Sequence, residues 1–196
     1  MNNNKIVKPI SKFPLVVNLL GAPGSGKSTG AAYIFSMLKM SGINAELVTE
    51  FAKDKAWEHN DKAVENQSYV FGKQCYRMSR CANEVDVIVT DSPLFLSIIY
   101  NNDKRLTENF NKSVMDTFNS YNNLNILLQR TKPYNTSGRF QTELESDEVG
   151  VKIENALKEY CVPYTIFNGD IEDYNKIVNL IMDLLYRRGV ESLYTE

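Results

Sequence analysis

The residues Gly21-Ala22-Pro23-Gly24-Ser25-Gly26-Lys27-Ser28 fit the pattern G-x-x-x-x-G-K-[ST] in full, with a further glycine inside it. Those residue types in that order make a cradle for a chain of phosphates. Glycine tolerates positive φ and close approach, so the loop can turn its backbone N–H groups inward around an anion. Lys27 then brings a point charge to the β- and γ-phosphates, the Ser28 hydroxyl is a ligand for Mg²⁺, and the candidate contacts run on to Thr29. The competing reading is a glycine-rich turn followed by a surface lysine.

Such a loop needs a strand before it and a helix after it. Pro14 to Leu20 is a short apolar run closed by glycine, the pattern of a buried strand. Ala31, Ile34, Phe35 and Leu38 recur at helical spacing, so the loop runs into a helix N-terminus, where the dipole favours an anion. That helix should end near Ser41-Gly42, and Ile43 to Thr49 reads as a second strand with Glu50 at its C-terminal end.

The stretch from Phe51 to Asn66 is charged and reads as irregular. Val64, Phe71, Cys75, Met78 and Ala82 then hold one face of a helix, and Val85 to Thr90 is a strand closed by Asp91-Ser92-Pro93. Leu106 to Tyr121 is amphipathic, Leu124 to Gln129 a fourth strand, and Val149 to Tyr160 helical. Pro163 to Phe167 is a fifth strand, and Tyr174 to Leu184 a closing helix. Strands alternating with helices predict an α/β fold with a parallel sheet, right-handed crossovers and helices on both faces. Ligands in such sheets sit at the carboxyl ends of the strands, which selects Gly21 to Thr29, Glu50, Asp91 and Arg130.

Asp91, following an apolar strand, is placed to hold Mg²⁺ through water beside Ser28; its alternative role is to cap a helix that Pro93 would open. Glu50 would emerge next to the phosphate loop, where a group that orients or deprotonates an acceptor hydroxyl belongs, and Asp54 could share that task. Both could instead be solvated carboxylates opening a helix.

The segment 130–148 carries Arg130, Lys132 and Arg139 between a strand and a helix and reads as a lid that closes over transferring phosphate. Arg130 and Arg139 would stabilise charge on the transferring group, with Arg139 the stronger candidate. The plainer alternative is a solvated connection capped by Thr142 or Glu143. Trp57, Tyr69, Phe71 and Tyr76 could line an acceptor pocket or belong to the core, and His59 reads as a surface residue. Asn168-Gly169-Asp170 could set Gly169 beside an adenine ring or form a turn capping the last helix.

The chain as a whole sets further bounds. Its 196 residues suit a single domain spanning 1–196, with 1–13 as a polar lead-in. Charged residues make up 23% and hydrophobic ones 43%, ordinary for a globular chain. A net charge of −2 excludes a global basic field for nucleic acid or acidic lipid. Cys75, Cys81 and Cys161 lack C-x-x-C spacing and read as core thiols in a reducing compartment, and no membrane span or leader is visible, so a cytoplasmic protein is expected. A homodimer is left open.

The loop Gly21 to Ser28, the strand ending Thr49-Glu50, the Asp91-Ser92-Pro93 element and the arginine-bearing lid together resemble the P-loop nucleoside and nucleotide kinases. Among these the chain is most similar to small kinases grouped with nicotinamide riboside kinase and often found in phages. The resemblance spans most of Leu15 to Leu185. It implies a three-layer α/β/α P-loop NTPase fold with a five-stranded parallel sheet in the order 2-3-1-4-5. It also implies ATP as donor, Mg²⁺, and a carboxylate after strand two acting on the acceptor. Two departures leave the acceptor open: there is no Asp-Arg-Tyr element of thymidylate kinases after strand three, and no Glu-Arg-Ser element of deoxynucleoside kinases.

The expectation is a kinase moving the γ-phosphate of ATP to a hydroxyl of a nucleoside, nucleotide or nucleoside-like molecule. One alternative changes the acceptor to a hydroxymethylated pyrimidine base within DNA, with Lys53, Lys55, Lys62, Lys73, Arg77 and Arg80 as a phosphate-binding strip. The other is an ATPase or nucleotide-dependent switch, for which Gln129 and Gln141 are the available water-orienting groups.

Overall fold

A strand with every residue buried must be covered on both faces, and β1 (Leu15–Leu20) is such a strand. The computed structural model describes residues 14–134 and 142–193, with side chains described as far as Arg187. The lead-in 1–13 and the middle of the expected lid, with Arg139 and Gln141, lie outside the described residues. After β1 come α1 (Lys27–Met40), β2 (Ala45–Val48), α2 (Phe51–Trp57), α3 (Asp61–Glu65) and α4 (Gln67–Ser79). These are followed by β3 (Val87–Thr90), α5 (Leu96–Ile99), α6 (Glu108–Asn119), β4 (Asn122–Gln129), α7 (Glu143–Glu159), β5 (Thr165–Asn168) and α8 (Ile171–Leu193).

The five strands among the described residues form one sheet in the order β2-β3-β1-β4-β5, every pair parallel, as the family resemblance implies. On one face α1 and α8 bury Ile34, Leu38, Ile177 and Ile181 against Val17 and Leu19. On the other, α4, the N-cap of α5, α6 and α7 bury Met78, Phe95, Phe118, Ile153 and Leu157 against Val16 and Leu20. Each such side chain contributes about 1.5–3 kcal/mol of transfer free energy. Asn18 is the polar exception inside β1; its Nδ2 donates to Oδ1 of Asn123 (2.8 Å) and of Asn125 (2.9 Å) on β4, which answers its buried donors.

Three expectations are corrected. The stretch 51–66 is not irregular but holds α2 and α3: Asn60 Oδ1 accepts from the Ala63 N–H at 3.2 Å to cap α3, and Asn66, where α3 ends, caps α4 by accepting from the Tyr69 N–H at 3.1 Å. Helices of seven and five residues are too short for apolar periodicity to reveal them. The end of the 130–148 span is helical, because Thr142 and Glu145 form a reciprocal capping box that starts α7 at Glu143. Of the cysteines, Cys81 is buried and Cys75 half-buried, but Cys161 is exposed, at a left-handed position in the turn after α7. Among the described residues no helix is long and apolar enough to cross a membrane.

Candidate functional site

The loop after β1 lies at the carboxyl end of the central strand, where β3 and β4 flank it. Gly24 (φ 84°) and Gly26 (φ 93°) adopt the left-handed conformation, which lets the chain coil before α1 begins at Lys27. The N-cap residue of α1, Gly26, has no side chain to cap the helix and the first turn holds no acid, so the leading N–H groups suit an anion. Lys27 Nζ reaches back over the loop to the carbonyls of Gly21 (2.8 Å) and Ala22 (3.0 Å). The Ser25 hydroxyl is buried without a hydrogen-bond partner among the described atoms.

The loop is held from two sides. From α8, the Tyr174 hydroxyl donates to the Gly26 carbonyl at 2.9 Å, and a Cβ on Gly26 would sit 2.3 Å from that hydroxyl. Gly169 presses on the same turn: a Cβ there would lie 2.0 Å from the Ser25 carbonyl oxygen, and its N–H donates to the Gln129 carbonyl. The capping turn weighed for this segment is also present, since Asp170 Oδ1 accepts from the Asp173 N–H at 2.9 Å. From α7, Ser146 Oγ donates to the Pro23 carbonyl at 2.7 Å.

Asp91 is only 5% exposed at the end of β3, and it does not cap α5; its Oδ1 accepts the backbone N–H of Glu50 at 3.1 Å. Glu50 is the N-cap residue of α2 but makes no side-chain cap bond. Burial pushes its carboxyl above the ordinary carboxylate range; Lys27 opposes that, Asp91 adds to it, and Lys53 and Asp54 act in opposite directions after them. Ser28, Glu50, Lys53, Asp54, Trp57 and Asp91 line one cleft of about 320 Å³. Trp57 is 66% exposed there, while Phe71 packs on Phe110 and Tyr69 on Phe51. His59 is exposed at the turn between α2 and α3.

Other expected residues are already paired with neighbours. Asp54 reaches the cleft but pairs with Arg77, whose other nitrogen donates to the Thr49 carbonyl at 3.1 Å. Lys55 pairs with Glu58, Arg80 with Glu46, and Lys73 lies over the Tyr69 ring, so much of the supposed phosphate-binding strip already has partners. Arg130 is held by Asp147 (2.6 Å) and Glu143 (3.3 Å) at the start of α7, with its guanidinium over the Tyr134 ring.

Three residues that matter to this geometry, Gln74, Ser146 and Tyr174, were not visible as such in the sequence. Gln74 and Gln67 lie in line with Met78 on the buried face of α4. A glutamine at seven-residue spacing on an apolar face is the one signal that could have found it.

A family model described as an AAA domain matches residues 16–173. No curated protein matches the chain. Among solved structures, that of NadR protein in complex with NAD and AMP-PNP superimposes with a TM-score of 0.63 at 17% identity, covering 87% of this chain and 49% of that one. The chain thus spans about half the length of that structure (49%), and the likeness shows the fold. With the phosphate loop, the sheet order and a family model over most of its length in agreement, the chain belongs to the AAA-domain family of P-loop NTPases and has the fold of the nucleotide-kinase-like superfamily.

Proposed function

We propose that this chain is an ATP-dependent phosphotransferase that moves the γ-phosphoryl group of ATP to a hydroxyl of a nucleoside, nucleotide or nucleoside-like molecule. The observation that carries this reading is that Ser28, Glu50 and Asp91 line one cleft, with the Lys27 charge acting on Glu50. Phosphoryl transfer needs alignment and charge neutralisation more than covalent help. In this reading the backbone N–H groups of Gly21 to Thr29, Pro23 having none, and the orphaned Ser25 hydroxyl receive the phosphates, and Lys27 exchanges the Gly21 and Ala22 carbonyls for phosphate oxygens.

Mg²⁺ fits the donors present. A hydroxyl and a carboxylate share the cleft, and among the described residues no group of three His, Cys, Asp or Glu could hold a metal alone. Such a sparse oxygen set suits an ion that keeps water and phosphate in most of its positions. When bound, Mg²⁺ supplies neutralisation of phosphate charge; Ser28 and Asp91 would hold it. Glu50 would orient the acceptor hydroxyl and accept its proton. Arg139 would meet charge on the transferring group, and Arg130 would join it by exchanging Asp147 and Glu143 for phosphate.

The cleft volume of about 320 Å³ falls at the low end of the range for small-molecule pockets, which supports a free acceptor of nucleoside size. NadR, the solved structure with a similar fold, holds AMP-PNP, which supports a nucleoside triphosphate as donor. The test is labelled ATP with Mg²⁺ offered to nucleosides, nucleotides, nicotinamide riboside and hydroxymethylated DNA. Transfer to a free small molecule, strongly depressed in Glu50→Gln and Lys27→Ala, is expected. Salt-sensitive labelling of the DNA alone would move the acceptor to a base in DNA. Hydrolysis at the same rate with and without every acceptor would make the chain an ATPase or switch.

A further inference from the structure

Glu50 sits in a short connection between β2 and α2, and such a connection holds a side chain within the tolerance of phosphoryl transfer only if its backbone is fixed. The structure ties three consecutive residues here. The Thr49 carbonyl accepts from Gln74 Nε2 at 3.3 Å, the Glu50 N–H donates to Asp91 Oδ1 at 3.1 Å, and the Phe51 N–H donates to Gln74 Oε1 at 3.1 Å. One side chain, Gln74, therefore grips the chain on both sides of Glu50, through its donor before and its acceptor after. Gln74 comes from α4, is 3% exposed, and has both ends of its amide engaged by this backbone.

From this bracket we propose that Gln74 is the positioning residue of the site: its carboxamide sets the backbone of Thr49 to Phe51, and so aims the Glu50 carboxylate into the cleft it shares with Ser28 and Asp91. The inference rests on the reading of Glu50 as the acceptor-side carboxylate. It assigns Gln74 no contact with donor or acceptor. A glutamine suits the task because one planar group offers a donor and an acceptor a fixed distance apart. The N-terminus of α2 needs such an outside partner, since no side chain of its own caps it. Arg77 supports the bracket from the next turn of α4, donating to the Thr49 carbonyl and hydroxyl at 3.1 and 3.2 Å.

The test uses the full chain and two variants. Gln74→Leu removes both bonds, and Gln74→Glu keeps an acceptor for the Phe51 N–H while facing the Thr49 carbonyl with an oxygen. Amide hydrogen exchange of Phe51 without ligand should accelerate about tenfold in Gln74→Leu and less in Gln74→Glu, because its partner is lost in the first only. With labelled ATP, Mg²⁺ and a mixture of nucleosides and nicotinamide riboside, transfer should fall about 10- to 100-fold in Gln74→Leu while ATP affinity stays within about twofold. Adding Gln74→Leu to Glu50→Gln should cost little more, since the group being aimed is already gone.

An unchanged exchange rate at Phe51 overturns the proposal with no acceptor needed. So does full transfer in Gln74→Leu when Glu50→Gln has lost it, which leaves the kinase reading standing. An equal loss from Gln74→Leu in the wild-type and Glu50→Gln backgrounds makes Gln74 a general structural residue and also overturns it. If Glu50→Gln itself keeps full transfer, the role of Glu50 fails and the proposal falls with it.

Discussion

The backbone N–H of Glu50 donates to Oδ1 of Asp91 at 3.1 Å. β2 and β3 are adjacent parallel strands, so the acid that closes β3 holds the residue that closes β2, and two candidate functional carboxylates share one backbone link. Asp91→Asn keeps an oxygen to accept that N–H but loses the charge. Its fold should be within about 1 kcal/mol of wild type, while turnover falls about 10²–10³-fold and half-saturation by Mg²⁺ moves upward. Asp91→Ala also strands the Glu50 N–H and should lose a further 1–3 kcal/mol or so. A magnesium titration of Asp91→Asn that overlays the wild type would remove Asp91 from the metal site.

Burial raises the Glu50 carboxyl above its ordinary 4.5, with Lys27 opposing the shift. A raised folded-state pKa means that the folded protein binds more protons than the unfolded one between the two values, so stability falls as pH rises through that window. Glu50→Gln is neutral throughout. Its melting temperature, measured without nucleotide or metal, should match the wild type below pH 4.5, exceed it increasingly as pH rises through the raised value, and then keep a constant lead. A lead that shrinks with rising pH would show that Glu50 is stabilised as a carboxylate instead.

The strands were legible as short, mostly apolar runs separated by amphipathic helices, while their order came from the family resemblance. β1, with all six residues buried, could hardly be anything else. The phosphate loop was legible because its glycines and lysine follow one another in sequence. The support of the site was not, because it comes from residues far apart in the chain: Gln74 reaches Thr49 and Phe51, Ser146 reaches Pro23, and Tyr174 reaches Gly26. Each reads locally as one more helical residue. Likewise Arg130 stands at the end of β4 as expected, but only the three-dimensional arrangement shows Asp147 and Glu143 beside it.

The three thiols should separate by reactivity. Burial pushes Cys75 up to about 11 and Cys81 upward as well, whereas Cys161 is exposed. Since the thiolate is the nucleophile, iodoacetamide at pH 8 should label Cys161 first and leave Cys75 the slower by an order of magnitude or so. Peptide mapping of the native protein after partial labelling decides this, and early modification of Cys75 would mean that α4 opens readily.

Tyr174 should govern the phosphate loop without touching a phosphate. Its hydroxyl donates to the Gly26 carbonyl at 2.9 Å, and its ring fills the space beside Gly30, where a Cβ would lie 2.7 Å from a ring carbon. Tyr174→Phe removes the hydrogen bond and keeps the packing, so it should cost about 1 kcal/mol of stability and weaken ATP binding several-fold as the Gly26 turn loosens. Gly30→Ala keeps the bond but crowds the ring; the gain of about 1 kcal/mol in helix propensity should lose to an overpacking cost of about 1–3 kcal/mol. Replacing the ring as well, in Gly30→Ala with Tyr174→Leu, should recover part of that cost, because the group being crowded is gone. Calorimetric unfolding and a fluorescent ATP analogue read the two effects separately. If Tyr174→Phe binds the analogue as tightly as wild type, the loop owes its shape to its own glycines and to Gly169, and the link from α8 is packing alone.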